Sequence, residues 1–259
     1  MKERSSNLCI TYEQPLNERI RTFLRYEQLA ERFAYFARQE KPYDSHVALL
    51  TLIEIFNLVS RGDLKQELLK QIKRQTDALE SLAIQPKIDT AKLNGVLVKH
   101  KSIYDDLHAI HGQINDHLKN NDFISAIRQR TSIPGGTCDF DVPEYHHWLG
   151  QSFRQRNQAL MNWIEPFKVV ERGISHSLSL IRQSVQFSKQ CAPNGFYDQN
   201  LDPNTPCPMI RINVENAYFP ECSAGKQRFT IRFLSHASPD ETPKQTDGDI
   251  DFKLACCRF

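Results

Sequence analysis

The apolar residues of this chain recur with one period over most of its length and with another near its end. Between residues 19 and 189 they fall three and four positions apart, which is the spacing of one face of an α-helix. Over residues 210–214, 229–233 and 250–256 they alternate with polar residues, which is typical of half-buried strands. Separation of the two periods along the chain predicts an α+β fold, with a helical bundle and a small antiparallel β-sheet.

Helices are predicted wherever the three- and four-residue spacing persists. Asn17, Asp63 and Asp122 precede predicted helices and can cap them. The second helix is apolar on most sides, so we expect it at the centre of the bundle. The predicted helical ranges are 19–38, 46–60, 64–82, 90–111, 122–130, 152–163 and 166–189, with a short helix that starts near Pro143.

The same pattern predicts two domains. Residues 14–190 form the helical domain, with residues 138–142 alternating like a strand inside it. Leu8, Ile10 and Tyr12 also alternate, and a lone N-terminal strand needs partners. We therefore expect residues 1–13 to join residues 191–259 in the β-strand domain.

Composition narrows the classes of partner. The formal net charge is only +2, so a basic binding surface must be local rather than spread over the whole molecule. No apolar run approaches the roughly 20 residues that span a bilayer, and the first residues do not resemble a secretion signal. The seven cysteines are odd in number and irregularly spaced, as expected for reduced thiols in the cytoplasm.

Two arginines near the start of the chain are the first candidates for binding. Arg21 and Arg25 are four residues apart in the first predicted helix, and Arg32 follows on the same edge. A helix N-terminus disfavours cations, so an arginine-rich first turn costs stability unless it has another use. This edge is either a solvated surface or a site that holds an anionic partner.

Further basic residues lie near the ends of other predicted helices. Arg61 follows the second helix, and Arg128 and Arg130 precede a Pro-Gly-Gly turn. A cation at a helix C-terminus also stabilises the helix, so a structural role and a binding role both fit these arginines. His146 can either satisfy a backbone carbonyl or bond a carboxylate. A second basic run at residues 65–74 reads as an ordinary salt-bridged helix surface.

Motifs for catalysis, phosphate binding and metal binding are missing from the sequence. It contains no CxxC, GxSxG, GxxxxGK or GxGxxG motif. His108 and His111 stand at helical spacing, but two histidines without a further ligand indicate a metal site only weakly. We therefore predict a protein that is not an enzyme and that needs no cofactor or metal.

Several segments, in order along nearly the whole chain, resemble one protein family. These segments are QPLNERIRTFLR at 14–25, IRQRTSIPGG at 127–136, CDFDVP at 138–143 with His146 and Trp148, LIRQS at 180–184, NGFY at 194–197, RFTIRF at 228–233 and DFKLACC at 251–257. Taken together they are similar to ZapD, the Z-ring-associated protein D family of bacterial cell division.

The resemblance implies a cytoplasmic, non-enzymatic protein at the midcell division site, with a helical domain and a β domain. It implies a symmetric homodimer that binds the C-terminal tail of FtsZ and crosslinks its protofilaments. Family members use basic residues of the helical domain for this, and Arg21, Arg25 and His146 stand at matching places. Phe123 departs from the pattern, because it stands where a further basic residue is expected.

These observations give one function hypothesis and one alternative. The hypothesis is a homodimeric FtsZ-bundling protein with no nucleic-acid or membrane partner, whose binding residues are Arg21, Arg25, Arg61, Arg128, Arg130 and His146. The alternative is a small nucleic-acid-binding module that uses the same basic helix, although such a module usually carries a broader basic stripe.

Overall fold

The computed structural model describes residues 8–60, 62–82, 89–225, 227–236 and 238–258. It confirms the predicted α+β fold. Two compact units are present. The β unit contains the described residues up to Arg21 together with those from Leu178 onward, and the helical unit contains the described residues of Thr22–Ser177. The division into two independently folding domains remains a prediction, with residues 14–190 in one domain and residues 1–13 with 191–259 in the other.

The helices occupy the stretch in which the helical period was predicted. Most predicted ranges match within a few residues, and a one-turn helix before the 122–130 range was missed. The α-helices of the described chain are α1 (Glu18–Ala37), α2 (Pro42–Ser60), α3 (Leu64–Leu82), α4 (Thr90–His108), α5 (Asp116–Lys119), α6 (Asp122–Arg130), α7 (Pro143–Leu149), α8 (Phe153–Ile164) and α9 (Lys168–Gln183).

Side chains cap the helices at their first turns. Asn17 Oδ1 accepts a hydrogen bond from the Ile20 amide at 2.9 Å, which confirms the predicted cap of α1. Asp63 Oδ1 accepts from the Gln66 amide at 3.1 Å, which confirms the cap of α3. The predicted cap of α6, Asp122, is wrong by one residue. Asn121 Oδ1 accepts the hydrogen bond from the Ile124 amide, at 2.9 Å.

Helix α2 lies in the interior of the helical unit, as its sequence predicts. Apolar side chains on most sides of it are buried, since neighbouring helices cover it. The buried residues of α2 are Ser45, Ala48, Leu49, Thr51, Leu52, Ile53, Ile55, Phe56 and Val59. Helices α3 and α9 also approach closely: a Cβ added at Gly173 would lie 2.7 Å from Leu68 Cδ2.

Two predictions of local structure are wrong. Residues 138–142 form turns instead of a strand, because the amides of Asp141 and Val142 both donate to the Cys138 carbonyl, at 3.1 and 3.0 Å. Local turn bonds thereby satisfy the groups that a strand would offer to a neighbour. The helix predicted over 166–189 ends at Gln183, and a strand follows because residues from Ser188 pair with the end of the chain.

Every strand pairing of the β unit is antiparallel among the described residues. The strands are β1 (Cys9–Pro15), β2 (Ser188–Ala192), β3 (Phe196–Asn200), β4 (Met209–Glu215), β5 (Phe219–Ala224), β6 (Arg228–Ser235), β7 (Lys244–Gln245) and β8 (Ile250–Cys257). One sheet has the order β1-β4-β8-β2, and the other has β3-β6-β5 with β7 beside β6.

Strand β1 confirms that the N-terminal strand joins the C-terminal sheet. Ile10 lies opposite Val214 and Tyr12 lies opposite Ile212. The alternating apolar residues of β4, β6 and β8 face a shared core, as predicted. That core contains Ala192, Ile210, Ile212, Val214, Phe229, Ile231, Phe233, Ile250, Phe252 and Leu254.

An ion-pair network holds the end of α9 to the first sheet. Glu13 on β1 receives both Arg182 Nε at 2.9 Å and Arg182 Nη2 at 2.7 Å, which is a bidentate pair. Arg211 Nε on β4 also lies 3.0 Å from Glu13 Oε1. One carboxylate is therefore shared by two guanidinium groups that are mostly shielded from solvent.

Candidate functional site

Helix α1 places Arg25 on the face opposite to its buried stripe. Phe23 and Tyr26, which precede and follow Arg25 closely in sequence, are both buried. The Tyr26 hydroxyl donates a hydrogen bond to the Phe167 carbonyl at 3.0 Å. Arg25 is exposed. The buried residues of α1 are Ile20, Phe23, Tyr26, Ala30, Phe33 and Ala37, whereas Leu24 and Ala34 are only half-buried.

Arg21 lies four residues before Arg25 on α1 and belongs to the other compact unit. Its Nε is 3.2 Å from Glu18 Oε2, and the arginine is half-buried. The cost of a cation in the first helical turn is therefore offset by a neighbouring carboxylate that itself favours the helix N-terminus. Arg21 has a structural role whether or not it also binds a partner.

Arg32 does not belong to an anion-binding edge. Its guanidinium forms an ion pair with Glu54, and its Nε donates to Thr51 Oγ1 at 3.0 Å. Both partners lie on α2, so Arg32 joins α1 to α2. The sequence pattern shows only that Arg32 shares an edge with Arg25, because its partners come from another helix.

Arg128 and Arg130 occupy the last turn of α6. The Arg128 Cζ lies 4.6 Å from the centroid of the Phe56 ring on α2, which is a cation–π contact with a buried aromatic. Arg130 Nη1 lies 3.4 Å from Asp141 Oδ1, in the turn segment that leads to α7. The Arg128 guanidinium is thus held in place by an uncharged group, whereas Arg130 shares its charge with a carboxylate.

His146 is exposed on α7, and the other face of this short helix carries the buried Tyr145 and Trp148. Helices α6 and α7 pack together, and the Arg130–Asp141 pair joins the end of α6 to the start of α7. The structure therefore brings Arg128, Arg130 and His146 into one part of the helical unit. We call these three residues the α6–α7 basic group.

The six predicted binding residues do not all meet in one cluster of the described chain. Arg32 contacts α2 at Glu54, and Arg128 contacts it at Phe56. Residues two positions apart on an α-helix are separated by about 200° around its axis, so Arg32 and Arg128 contact opposite sides of α2. Arg61 lies outside the described residues.

Phe123, the departure from the expected basic residue, fills an aromatic cluster. Its ring stacks on Trp163 at 5.5 Å and meets Trp148 edge-on at 5.9 Å. Tyr145 stacks on Trp148 at 5.9 Å, and burial raises the pKa of its hydroxyl. Sequence reasoning missed this cluster. The three-residue spacing of Tyr145 and Trp148 was the available indication, since it places both rings on one helix face.

The second basic run on α3 is an ordinary salt-bridged surface, as predicted. Lys70 Nζ lies 3.0 Å from Glu67 Oε1, and Lys73 Nζ lies 2.5 Å from Asp77 Oδ1. Arg74 is exposed on the same helix. These residues provide matched controls for substitutions elsewhere.

Within the ranges that the structure describes, no group of three or more His, Cys, Asp or Glu side chains is arranged to hold a metal ion. Over the same ranges, no helix combines the length and the apolar character that a membrane span requires.

Comparison with known proteins identifies the family. The family model ZapD, described as a cell division protein, matches residues 24–232. This chain belongs to the ZapD family. The cell division protein ZapD of Cupriavidus pinatubonensis is 37% identical over 253 residues, covering 96% of this chain and 100% of the relative. Those of Janthinobacterium sp. (strain Marseille) and Aromatoleum aromaticum are each 38% identical, over 252 and 249 residues. They cover 96% of this chain, and 100% and 97% of the two relatives respectively.

Membership of the ZapD family supports a role in cell division. The relatives are named as cell division proteins and not as enzymes.

Proposed function

We propose that this protein binds the C-terminal tail of FtsZ and, as a homodimer, crosslinks and bundles FtsZ protofilaments at the midcell division site in the cytoplasm. The observation that carries the proposal is the match to the ZapD family along nearly the whole chain. The basic residues on either side of α2 supply the chemistry that an acidic peptide needs.

Arg25 is the first proposed contact. It is exposed on a helix whose opposite face is buried, so its backbone is fixed while its guanidinium stays accessible. Arg32 bonds to Thr51, so α1 is anchored to the middle of α2 at this point. Arg25 lies two turns earlier on α1, about 10 Å along the helix axis from Arg32.

Arg128 is the second proposed contact. Stacking on Phe56 holds its guanidinium in place without neutralising it, so less side-chain entropy is lost on binding. The FtsZ tail would contact both Arg25 and the α6–α7 basic group. Arg61, which follows α2 directly in sequence, is a further proposed contact.

Crosslinking would follow from the two tail-binding sites of a homodimer and the repeated tails of a filament. Each charge-assisted hydrogen bond adds about 1.5–3 kcal/mol when it is desolvated, so a few such bonds give a weak single site. A homodimer has two sites, and a filament repeats its tail at every subunit. The second binding event is then intramolecular, which raises avidity without a new contact.

Sedimentation with FtsZ filaments tests the proposal. We expect the wild-type protein to co-sediment with full-length FtsZ, to bundle it, and to do neither with FtsZ that lacks its tail. Arg25→Glu should weaken co-sedimentation by at least about tenfold, since a lost and reversed charge costs more than 1.4 kcal/mol. Binding should also weaken as salt rises.

Arg74→Glu on α3 is the matched control, because it makes the same charge change at an exposed arginine of the helical unit. It should bundle like the wild type. Equal loss in both variants, or undiminished bundling by Arg25→Glu, would refute the role of Arg25. A gel shift with mixed RNA and DNA that appears at moderate salt, without FtsZ binding, would instead support the nucleic-acid alternative.

A further inference from the structure

Arg156 on α8 is a charged side chain inside the helical unit, where it is only 3% exposed. Its Nε donates to Ser45 Oγ at 3.0 Å, and its Nη2 donates to the Glu40 carbonyl at 2.6 Å. Its Nη1 donates to the Leu149 carbonyl at 3.3 Å and also to the Gln151 carbonyl. The acceptors are a hydroxyl and three backbone carbonyls, so they satisfy the buried guanidinium without neutralising its charge.

The bonds of Arg156 join the end of one helix to the beginning of another. Leu149 is the last residue of α7, and Gln151 follows it by two positions. Ser45 lies in the first turn of α2, and Glu40 lies in the connection between α1 and α2. The guanidinium therefore links the C-terminus of α7 to the start of α2, across more than 100 positions of the chain.

Helix α7 needs such support because it has only seven residues. A helix of this length is not stable by itself in water, and its last carbonyls have no partners within the helix. Arg156 supplies N–H donors to carbonyls at this end. Its positive charge is also favourable beside the negative end of the helix dipole. The last turn of α7 is thus fixed by a side chain from α8.

The effect of Arg156 reaches the backbone of His146, one of the proposed binding residues. The Gly150 amide donates to the His146 carbonyl at 3.1 Å, and Gly150 stands between the two residues whose carbonyls Arg156 binds. On the buried side of α7, Tyr145 Oη lies 2.5 Å from His46 Nδ1 on α2. His146 is exposed, so its imidazole faces solvent from a backbone that is fixed on both counts.

We propose that Arg156 is a positioning residue, which fixes the last turn of α7 and thereby places His146 for contact with the FtsZ tail. The inference rests on the proposed function, because it takes His146 as one of the tail contacts. Arg156 itself is buried and acts only through α7. The planar guanidinium serves four acceptors at once, whereas the single ammonium group of a lysine cannot reach all four.

Arg156→Lys keeps the charge and removes most of these bonds. In fluorescence anisotropy with a labelled FtsZ tail peptide, it should weaken binding by about tenfold, which is the contribution of one charge-assisted hydrogen bond. Arg154→Lys is the matched control, because Arg154 is an exposed arginine two residues earlier on α8. The control should bind like the wild type, and undiminished binding by Arg156→Lys would overturn the proposal.

A double-mutant cycle with His146→Gln separates positioning from a general loss of structure. If Arg156 acts through His146, Arg156→Lys should weaken binding by less than about twofold once His146 has been replaced. Loss of affinity by the same factor in both backgrounds would overturn the proposal.

Ser45→Ala removes only the acceptor of Arg156 Nε, and it takes the place of Arg156→Lys in the cycle if that variant does not fold. It should weaken peptide binding by about threefold when His146 is present and by less than about 1.5-fold when His146 is replaced. Equal effects in the two backgrounds would again contradict positioning through His146.

Amide hydrogen exchange tests the positioning role without the peptide. In Arg156→Lys the Gly150 amide should lose protection at least about tenfold, while the amide of the buried Leu52 on α2 keeps its protection. Unchanged protection at Gly150, or an equal loss at Leu52, would overturn the proposal. A wild-type protein that does not bind the peptide would refute the proposed function, and the exchange measurement would still decide whether Arg156 fixes α7.

Discussion

Glu13 offers a sharp test of the ion pairs that join β1 to β4 and to the end of α9 within the β unit. The substitution Glu13→Gln keeps the shape of the side chain and removes its charge. Glu13 receives three contacts of 2.7–3.0 Å from Arg182 and Arg211. Its side chain is only 19% exposed, and those of the two arginines are 26% and 23% exposed.

The expected loss can be worked from these contacts. Removal of one partner of a fully buried ion pair costs about 3–5 kcal/mol, because a charge is left without compensation. Partial exposure of this network reduces the expected value to about 2–4 kcal/mol. For a chain of this length that corresponds to a fall in Tm of roughly 5–12 °C.

Urea unfolding followed by circular dichroism measures the effect. Asp198→Asn is the control, since Asp198 lies 3.8 Å from Arg228 in a pair that is 49% and 61% exposed. We expect the control to change stability by less than about 0.5 kcal/mol. Adding Arg182→Gln to Glu13→Gln should cost less than the sum of the single changes, because one uncompensated charge is removed. A Glu13→Gln loss no larger than that of the control would refute the reasoning.

Three further outcomes are expected. Gly173→Ala should destabilise by about 1–3 kcal/mol in urea unfolding, because the new Cβ would meet Leu68 at 2.7 Å. Gly95→Ala, in α4 with nothing within 4 Å of the new Cβ, should stabilise by about 0.5–1 kcal/mol, and destabilisation there would contradict the packing argument. Burial lowers the pKa of His176 from 6.5 to about 4, and the nearby His100 and Lys99 act in the same direction. As the pH falls, the unfolded chain therefore becomes protonated at this histidine before the folded protein does. The stability tied to neutral His176 is therefore complete above pH 6.5 and lost as pH falls toward 4, so unfolding midpoints at pH 7.5 and 5 should differ less in His176→Leu than in the wild type.

The local sequence pattern was sufficient to predict which segments form helices or strands and which of their faces are buried. The alternation of Ile210, Ile212 and Val214 predicted both a strand and the side of it that faces the core, and the structure has both. The caps at Asn17 and Asp63 were predictable for the same reason, since a cap bonds to an amide only three residues away. Such features depend on neighbours in sequence.

The pattern failed where a distant partner decides the outcome. The helix predicted over 166–189 ends at Gln183, and residues from Ser188 form a strand because β8 offers them a ladder of backbone hydrogen bonds. Alternation over 138–142 suggested a strand, yet no strand among the described residues pairs with this segment, and local turns satisfy its amides. A strand requires a partner, and the sequence does not state where that partner comes from.

The roles of the charged side chains were likewise settled only by the tertiary structure. Sequence alone determined that Arg25 and Arg32 share an edge of α1, but only the fold pairs Arg32 with Glu54 and leaves Arg25 exposed. Glu13 and Arg211 are far apart in the chain, and the pairing of β1 with β4 brings them together. Periodicity acts over a few residues, whereas ion pairs are set by distances in space between segments remote in sequence.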